Sequence, residues 1–281
     1  MLDARDLLLK SPTVYQYLVQ KRVEENKSLE RRIRNDISRT FPDNPLFSDA
    51  GSAGQRALFD VLKAFSLYDT LTGYCQGMNF IVGMLLLRMS PEMAFWAFVQ
   101  MMKNLGVADF FRPGVTKLKL FIHIHTELLH REKKRLYDHL HAQNFECALY
   151  ATSWFLTLFS YDFAPSIVAR IWDILIADRD FRVVIKFSLA IMYVFEADLL
   201  KMSFEELHGT QFALFRNPED NSLSLTLTAR LLPLAGLAAP RRQGLFTHPF
   251  SLSLSLSLSL SLARSFYYSC CGFRRPTSLW R

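Results

Sequence analysis

From Leu29 to about Phe215 the chain reads as one apolar-patterned helix after another, with breaks at Pro, Gly and Asp/Asn clusters. Between Gln55 and Tyr68, the residues Leu58, Val61, Leu62 and Phe65 recur at offsets of three and four, which places them on one helical face. Phe95, Phe98, Val99 and Met102 do the same behind Ser90-Pro91, a serine placed to cap a helix and a proline suited to its first turn. The segments 145–160, 165–177, 181–200 and 203–215 are richer in apolar residues than one stripe requires, which predicts helices in the middle of a bundle. No stretch before residue 220 alternates with period two for long, and glycine-rich hairpin turns are missing. The pattern therefore predicts an all-α, multi-helix domain over residues 29–216, preceded by a helical lead-in over 1–28.

The pattern changes after Asn217-Pro218-Glu219-Asp220, and residues 217–281 form a low-complexity tail. Six consecutive Ser-Leu pairs run from Ser251 to Leu262. Such alternation would suit an amphipathic strand, because successive side chains point to opposite faces. A dinucleotide tract TCTCTC accounts for it more simply, since any frame alternates TCT (Ser) with CTC (Leu). The tail is accordingly read as disordered or as a gene-model or splicing product. It also holds all the excess charge. Residues 1–220 carry 26 Lys and Arg against 26 Asp and Glu, and residues 221–281 carry seven Arg and no acid, so the net +7 belongs to the appendage. A nucleic-acid partner is not expected of an electrically balanced domain, although adhesion to nucleic acid or anionic lipid through the tail is an alternative.

Cys75 and Cys147 are isolated and Cys270 and Cys271 are adjacent, which is neither a disulfide framework nor a pair of zinc ligands. A reducing compartment fits that usage. The N-terminus MLDARDLLLK lacks the apolar core of a signal peptide. The uncharged stretch from Thr70 to Leu87 is interrupted by Gly73, Gln76, Gly77 and Asn79 and falls short of the ~20 apolar residues of a membrane span. No transmembrane segment is expected. Five histidines, His123, His125, His130, His139 and His141, crowd one region. An H-x-H pair on a helix points its rings about 200° apart, so surface or helix-end histidines are expected and no metal site.

Two segments place polar residues where the apolar pattern does not predict them. In the first, Arg31 to Pro42, Ile33 and Ile37 share a buried helical face, while Asp36 and Arg39 lie together on the adjacent one, where a carboxylate can orient a guanidinium. Pro42 ends that helix just past Arg39. A solvated helix with an ordinary ion pair satisfies the same spacing. In the second, Gly73-Tyr74-Cys75-Gln76-Gly77-Met78-Asn79 opens an apolar helix, which presents Gln76 and Asn79 at its N-terminal end. A neutral amide there can orient a water or a phosphate oxygen without acting as a base. Simple capping of the helix is the alternative.

Taken together, Ile33-x-x-Asp36-x-x-Arg39 and Tyr74-x-Gln76 in an all-helical chain resemble the TBC domain, the GTPase-activating domain for Rab-type small GTPases. The runs GYCQGMNFIVGMLL, SPEMAFWAFVQMM, YATSWFLTLF from Tyr150 and ARIWD from Ala169 extend the resemblance, in the family's order, over roughly residues 29–210. The resemblance implies a two-finger mechanism. Arg39 would neutralise charge developing on the transferred γ-phosphoryl group and Gln76 would position the attacking water, with Asp36, Tyr74 and Gly77 in support. GTP and Mg²⁺ would be carried by the partner, and no cofactor of the chain's own is expected, since no GxxxxGK[ST] motif is present. It further implies a Rab-family partner, a role in vesicle trafficking, and a cytoplasmic location with recruitment to endomembranes through partners. A TBC-like scaffold that binds a GTPase without activating it is the alternative. The chain departs from the family pattern at both ends. Only 38 residues precede Arg39, without the family's Arg-x-x-x-Trp pattern, and the last expected helices give way to the tail. A shortened domain with intact sites is the resulting expectation.

Overall fold

The computed structural model describes residues 4–21 and 27–209. The repetitive tail assigned to 217–281 lies outside the described residues, as does the end of the helix expected over 203–215. Within them the chain is all-α, with no strand. The helices are α1 (Ala4–Lys10), α2 (Val14–Gln20), α3 (Lys27–Ile37), α4 (Ala53–Tyr68), α5 (Met78–Leu86), α6 (Pro91–Lys103), α7 (Thr116–Glu132), α8 (Lys134–Ala142), α9 (Cys147–Thr157), α10 (Pro165–Asp178), α11 (Arg182–Val194), α12 (Glu196–Leu199) and α13 (Phe204–Gly209). None of the described helices is long and apolar enough to cross a membrane.

Among the described residues the chain divides into two compact units. One holds residues 4–118 and 150–180, and the other holds 119–149 and 181–209. In the first, α6 packs on α1, α4 and α5. Its residues from Ala94 to Met102 are all buried, so the apolar positions lie all round the helix rather than in a stripe. The core is aromatic: Phe65 meets Phe98 edge-on with ring centroids 4.6 Å apart, and Tyr15 meets Phe95 at 5.4 Å. All nine residues of α5 are buried. Helix α3, by contrast, is amphipathic and buries Leu29, Ile33, Asp36 and Ile37. Asp36 thus sits within the buried stripe itself, not on the neighbouring face that its spacing to Arg39 indicated.

One cap and two boundaries differ from the sequence expectation. Ser90 occupies the N-cap of α6 with extended backbone, but its side chain makes no capping hydrogen bond. Helix α9 stops at Thr157 because Leu158 and Phe159 adopt left-handed φ of 49° and 68°. That conformation costs a non-glycine residue ~1–2 kcal/mol. It persists here because both side chains are fully buried and the Trp172 indole N–H donates to the Leu158 carbonyl at 3.0 Å. The expected helix over 181–200 is two, α11 and α12, separated at Phe195. In the second unit His125 is fully buried on α7, contrary to the surface or helix-end placement expected of the histidines. Its Nδ1 lies 2.9 Å from Ser188 Oγ, whose own proton goes to the Ile185 carbonyl, so Nδ1 carries the hydrogen and donates. Burial lowers its pKa from 6.5 to about 3.

Candidate functional site

The arginine segment begins on α3 and leaves it one turn early. The helix ends at Ile37, so Arg39 lies in the turn beyond it and not, as Pro42 implied, in the last helical residues. The Thr40 N–H donates back to the Ile37 carbonyl at 3.0 Å and Phe41 takes a left-handed φ of 48°. This turn exposes Arg39 while burying Thr40 completely. Asp36 Oδ1 accepts from Arg39 Nε at 2.9 Å and from Nη2 at 2.6 Å. Two of the three guanidinium nitrogens are therefore held on one carboxylate oxygen, and the group also lies 5.8 Å from the centroid of the Phe80 ring.

The glutamine loop runs from Gly73 to Gly77 and feeds α5. Gly77 is the N-cap of α5 with φ 103°, a backbone conformation that an L side chain rarely adopts. Gln76, one residue earlier, is exposed, whereas Tyr74 and Gly77 on either side are buried. The Tyr74 hydroxyl donates to Asp36 Oδ2. Burial, and next the hydrogen bond to Asp36, raise the Tyr74 pKa well above its ordinary value, so it remains a donor. Cys75 is also pushed upward by burial, which keeps the thiol beside Gln76 protonated.

All five residues singled out from the sequence thus fall on two neighbouring segments of one unit, and Asp36 joins them: one carboxylate oxygen holds Arg39 and the other holds Tyr74. Sequence reasoning missed three further participants. Arg32 Nη2 donates to the Tyr74 carbonyl at 2.8 Å, and its guanidinium lies 5.9 Å from the Tyr74 ring centroid. Its position one turn before Asp36 was the available signal. Thr40 Oγ1 accepts from Asn79 Nδ2 at 2.8 Å, which corrects the expectation that Asn79 is presented outward beside Gln76, because Asn79 is fully buried. Gly83 is the third. A Cβ there would stand 2.9 Å from the Phe41 ring and 3.0 Å from Thr40 Cγ2, so its bare backbone lets the arginine turn approach α5. Beside Arg39 opens a groove of about 460 Å³, lined among others by Phe41, Pro42, Phe80, Tyr161 and Phe163.

Chemically, the arrangement offers a preoriented cation and an outward neutral amide on a common rigid support. A model of the Rab-GTPase-TBC domain matches residues 4–200. The human "Ecotropic viral integration site 5 protein homolog" is 38% identical over 176 residues, 63% of this chain and 22% of that protein. The Caenorhabditis elegans "Rab GTPase-activating protein eat-17" is 38% identical over 184 residues, 65% of this chain and 20% of that one. The chain therefore spans about a fifth of the length of these two relatives. Among solved structures, the Chlamydomonas flagellar RabGAP TBC domain resembles it with a TM-score of 0.69 at 26% identity, over 83% of this chain and 75% of that chain. With the family match covering most of its length and its helices arranged as in that solved domain, the chain belongs to the Rab-GTPase-TBC domain family.

Proposed function

We propose that this chain accelerates GTP hydrolysis by a Rab-type small GTPase, to which it supplies Arg39 and Gln76 in trans. The observation that carries the reading is the shared anchor: Asp36 holds the Arg39 guanidinium with one oxygen and, through Tyr74, the Gln76 loop with the other. Transfer of a γ-phosphoryl group to water asks a protein for positioning and for positive charge against the spreading negative charge, and little else. Arg39 supplies the charge from a guanidinium whose orientation is set before the partner arrives. Gln76 supplies an amide that can accept from the attacking water and donate to a phosphate oxygen while remaining neutral. GTP and Mg²⁺ arrive with the partner in this scheme. The chain would act on membranes that carry its GTPase, recruited by that partner, in vesicle trafficking.

The test is single-turnover GTP hydrolysis by a panel of Rab-type GTPases with and without the chain. Acceleration of at least one member is expected, with losses of roughly 10³-fold for Arg39→Ala and roughly 10²-fold for Gln76→Ala. Binding without acceleration, and equal rates for wild type and Arg39→Ala, would leave a scaffold in place of an activator.

A further inference from the structure

Besides the Arg32 bond to the Tyr74 carbonyl, two hydrogen bonds between side chains join the arginine segment to the glutamine loop, and they bracket both fingers. Tyr74 to Asp36 precedes each finger in the chain, and Asn79 to Thr40 follows each. Gln76 thus lies between Tyr74 and Asn79, and Arg39 lies between Asp36 and Thr40. We propose that Asn79 and Thr40 are positioning residues, forming a second tie that fixes the backbone carrying Gln76 against the backbone carrying Arg39. The inference rests on the reading of Arg39 and Gln76 as fingers.

The direction of each hydrogen bond in the tie is fixed by the others. Thr40 Oγ1 donates its proton to the Asp36 carbonyl at 2.7 Å, so towards Asn79 it can only accept. Asn79 must therefore present its NH₂ group to Thr40, at 2.8 Å. Its Oδ1 then faces the other way and accepts from the Gly77 N–H at 3.0 Å, one residue past Gln76. Thr40 and Asn79 are both 0% exposed, so neither can replace a lost partner with bulk water. The close approach at Gly83 brings Thr40 and Phe41 against the same helix that Gly77 caps. With the tie removed, the Tyr74 anchor and the apolar packing of α5 remain, but the loop is held at one end instead of two. A misplacement of about 1 Å in a positioned group costs on the order of 10²-fold in rate, so loss at one end reaches the chemistry.

Thr40→Val tests this, because it exchanges the hydroxyl for a methyl of similar size. The full chain is assayed by single-turnover GTP hydrolysis on the GTPase that wild type accelerates most. The limiting rate is expected to fall about 10- to 100-fold, while the half-saturating concentration changes less than about threefold. Thr40→Ser, which restores the hydroxyl, is expected to recover most of the rate. In a Gln76→Ala background Thr40→Val should cost far less than in wild type, since the amide that the tie positions against Arg39 is already absent. A merely structural threonine would lower the melting temperature, leave the limiting rate of the folded protein unchanged and give independent effects in the double variant; that result overturns the proposal. If Thr40→Val fails to fold, Thr40→Ala is read in the same way. If wild type accelerates no GTPase, the finger reading falls instead. Hydrogen exchange at the Gly77 amide then decides the tie: at least tenfold faster exchange in Thr40→Val supports it, and unchanged exchange overturns it.

Discussion

The arginine segment and the glutamine loop hold their functional groups in opposite ways. Arg39 is gripped by its side chain, with Nε and Nη2 on Asp36 Oδ1, in a turn that leaves the residue itself exposed. Gln76 is gripped by its backbone. Its side chain makes no hydrogen bond among the described residues, but the carbonyl of Tyr74 before it and the N–H of Gly77 after it are both held by side chains, Arg32 and Asn79. The two grips act on different degrees of freedom, side-chain torsions at Arg39 and backbone position at Gln76. An arginine has many rotamers to lose, and a fixed carboxylate at three residues' distance removes most of them before use. For Gln76 the loop shaped by the φ of 103° at Gly77 fixes where its Cα stands and leaves its side-chain torsions to be set when the partner binds.

Four measurements bear on that contrast, beginning with the largest expected effect. Arg39→Lys keeps the charge but loses the planar fork that Asp36 holds, so its stimulated rate should fall by about 10³-fold, close to the alanine variant. A lysine that works nearly as well as arginine would show that charge alone matters and that side-chain grip does not. Tyr74→Phe leaves Asp36 Oδ2 without its buried donor, and a loss of about 1–3 kcal/mol in unfolding free energy is expected from denaturant titration. The limiting rate should drop as well, because the first tie is gone. Gly77→Ala probes the backbone grip. Its Cβ would meet only ordinary contacts at 3.7 Å, so the cost comes from the positive φ and should be about 1–2 kcal/mol, with the limiting rate falling more than the affinity for the GTPase.

The smallest effect belongs to the other unit and serves as the control for pH. His125 has its pKa lowered by burial from 6.5 to about 3, so between those values the unfolded chain takes up a proton that the folded chain refuses. The stability it contributes is complete above its unfolded pKa and declines as pH falls below it. From pH 7 to pH 5.5 the decline should be about 1 kcal/mol, and His125→Gln should flatten that part of the stability profile. If the variant keeps the wild-type slope, the acid loss originates elsewhere.

Much of the fold was legible because helical periodicity reports burial directly. The stripe Leu58, Val61, Leu62, Phe65 is fully buried on α4, and Pro91 opens α6 as its type predicts. Boundaries were less legible where packing overrode local preference, as at Leu158 and Phe159, whose left-handed backbone no sequence rule assigns to two large apolar residues. At the site, the i,i+3 spacing was enough to pair Asp36 with Arg39. It did not show that Asp36 lies in the buried stripe, and the glycine-flanked pattern placed Asn79 with Gln76 at the start of α5 without showing that Asn79 is an internal strut.

What the sequence alone determined is therefore whatever depends on neighbours along the chain: the all-α class, the apolar face of α3, the glycine-flanked loop that opens α5, and the residue types able to deliver a charge and an amide. The tertiary structure decided how those parts meet. Asp36 serves both segments because Tyr74, 38 residues away, packs its hydroxyl against it, and Thr40 meets Asn79 because Gly83 has no side chain to keep the turn away. Local spacing carries no record of such contacts, since their partners are brought together only when α3 and α5 pack, and the cost of leaving any of their buried polar atoms unpaired then selects one arrangement.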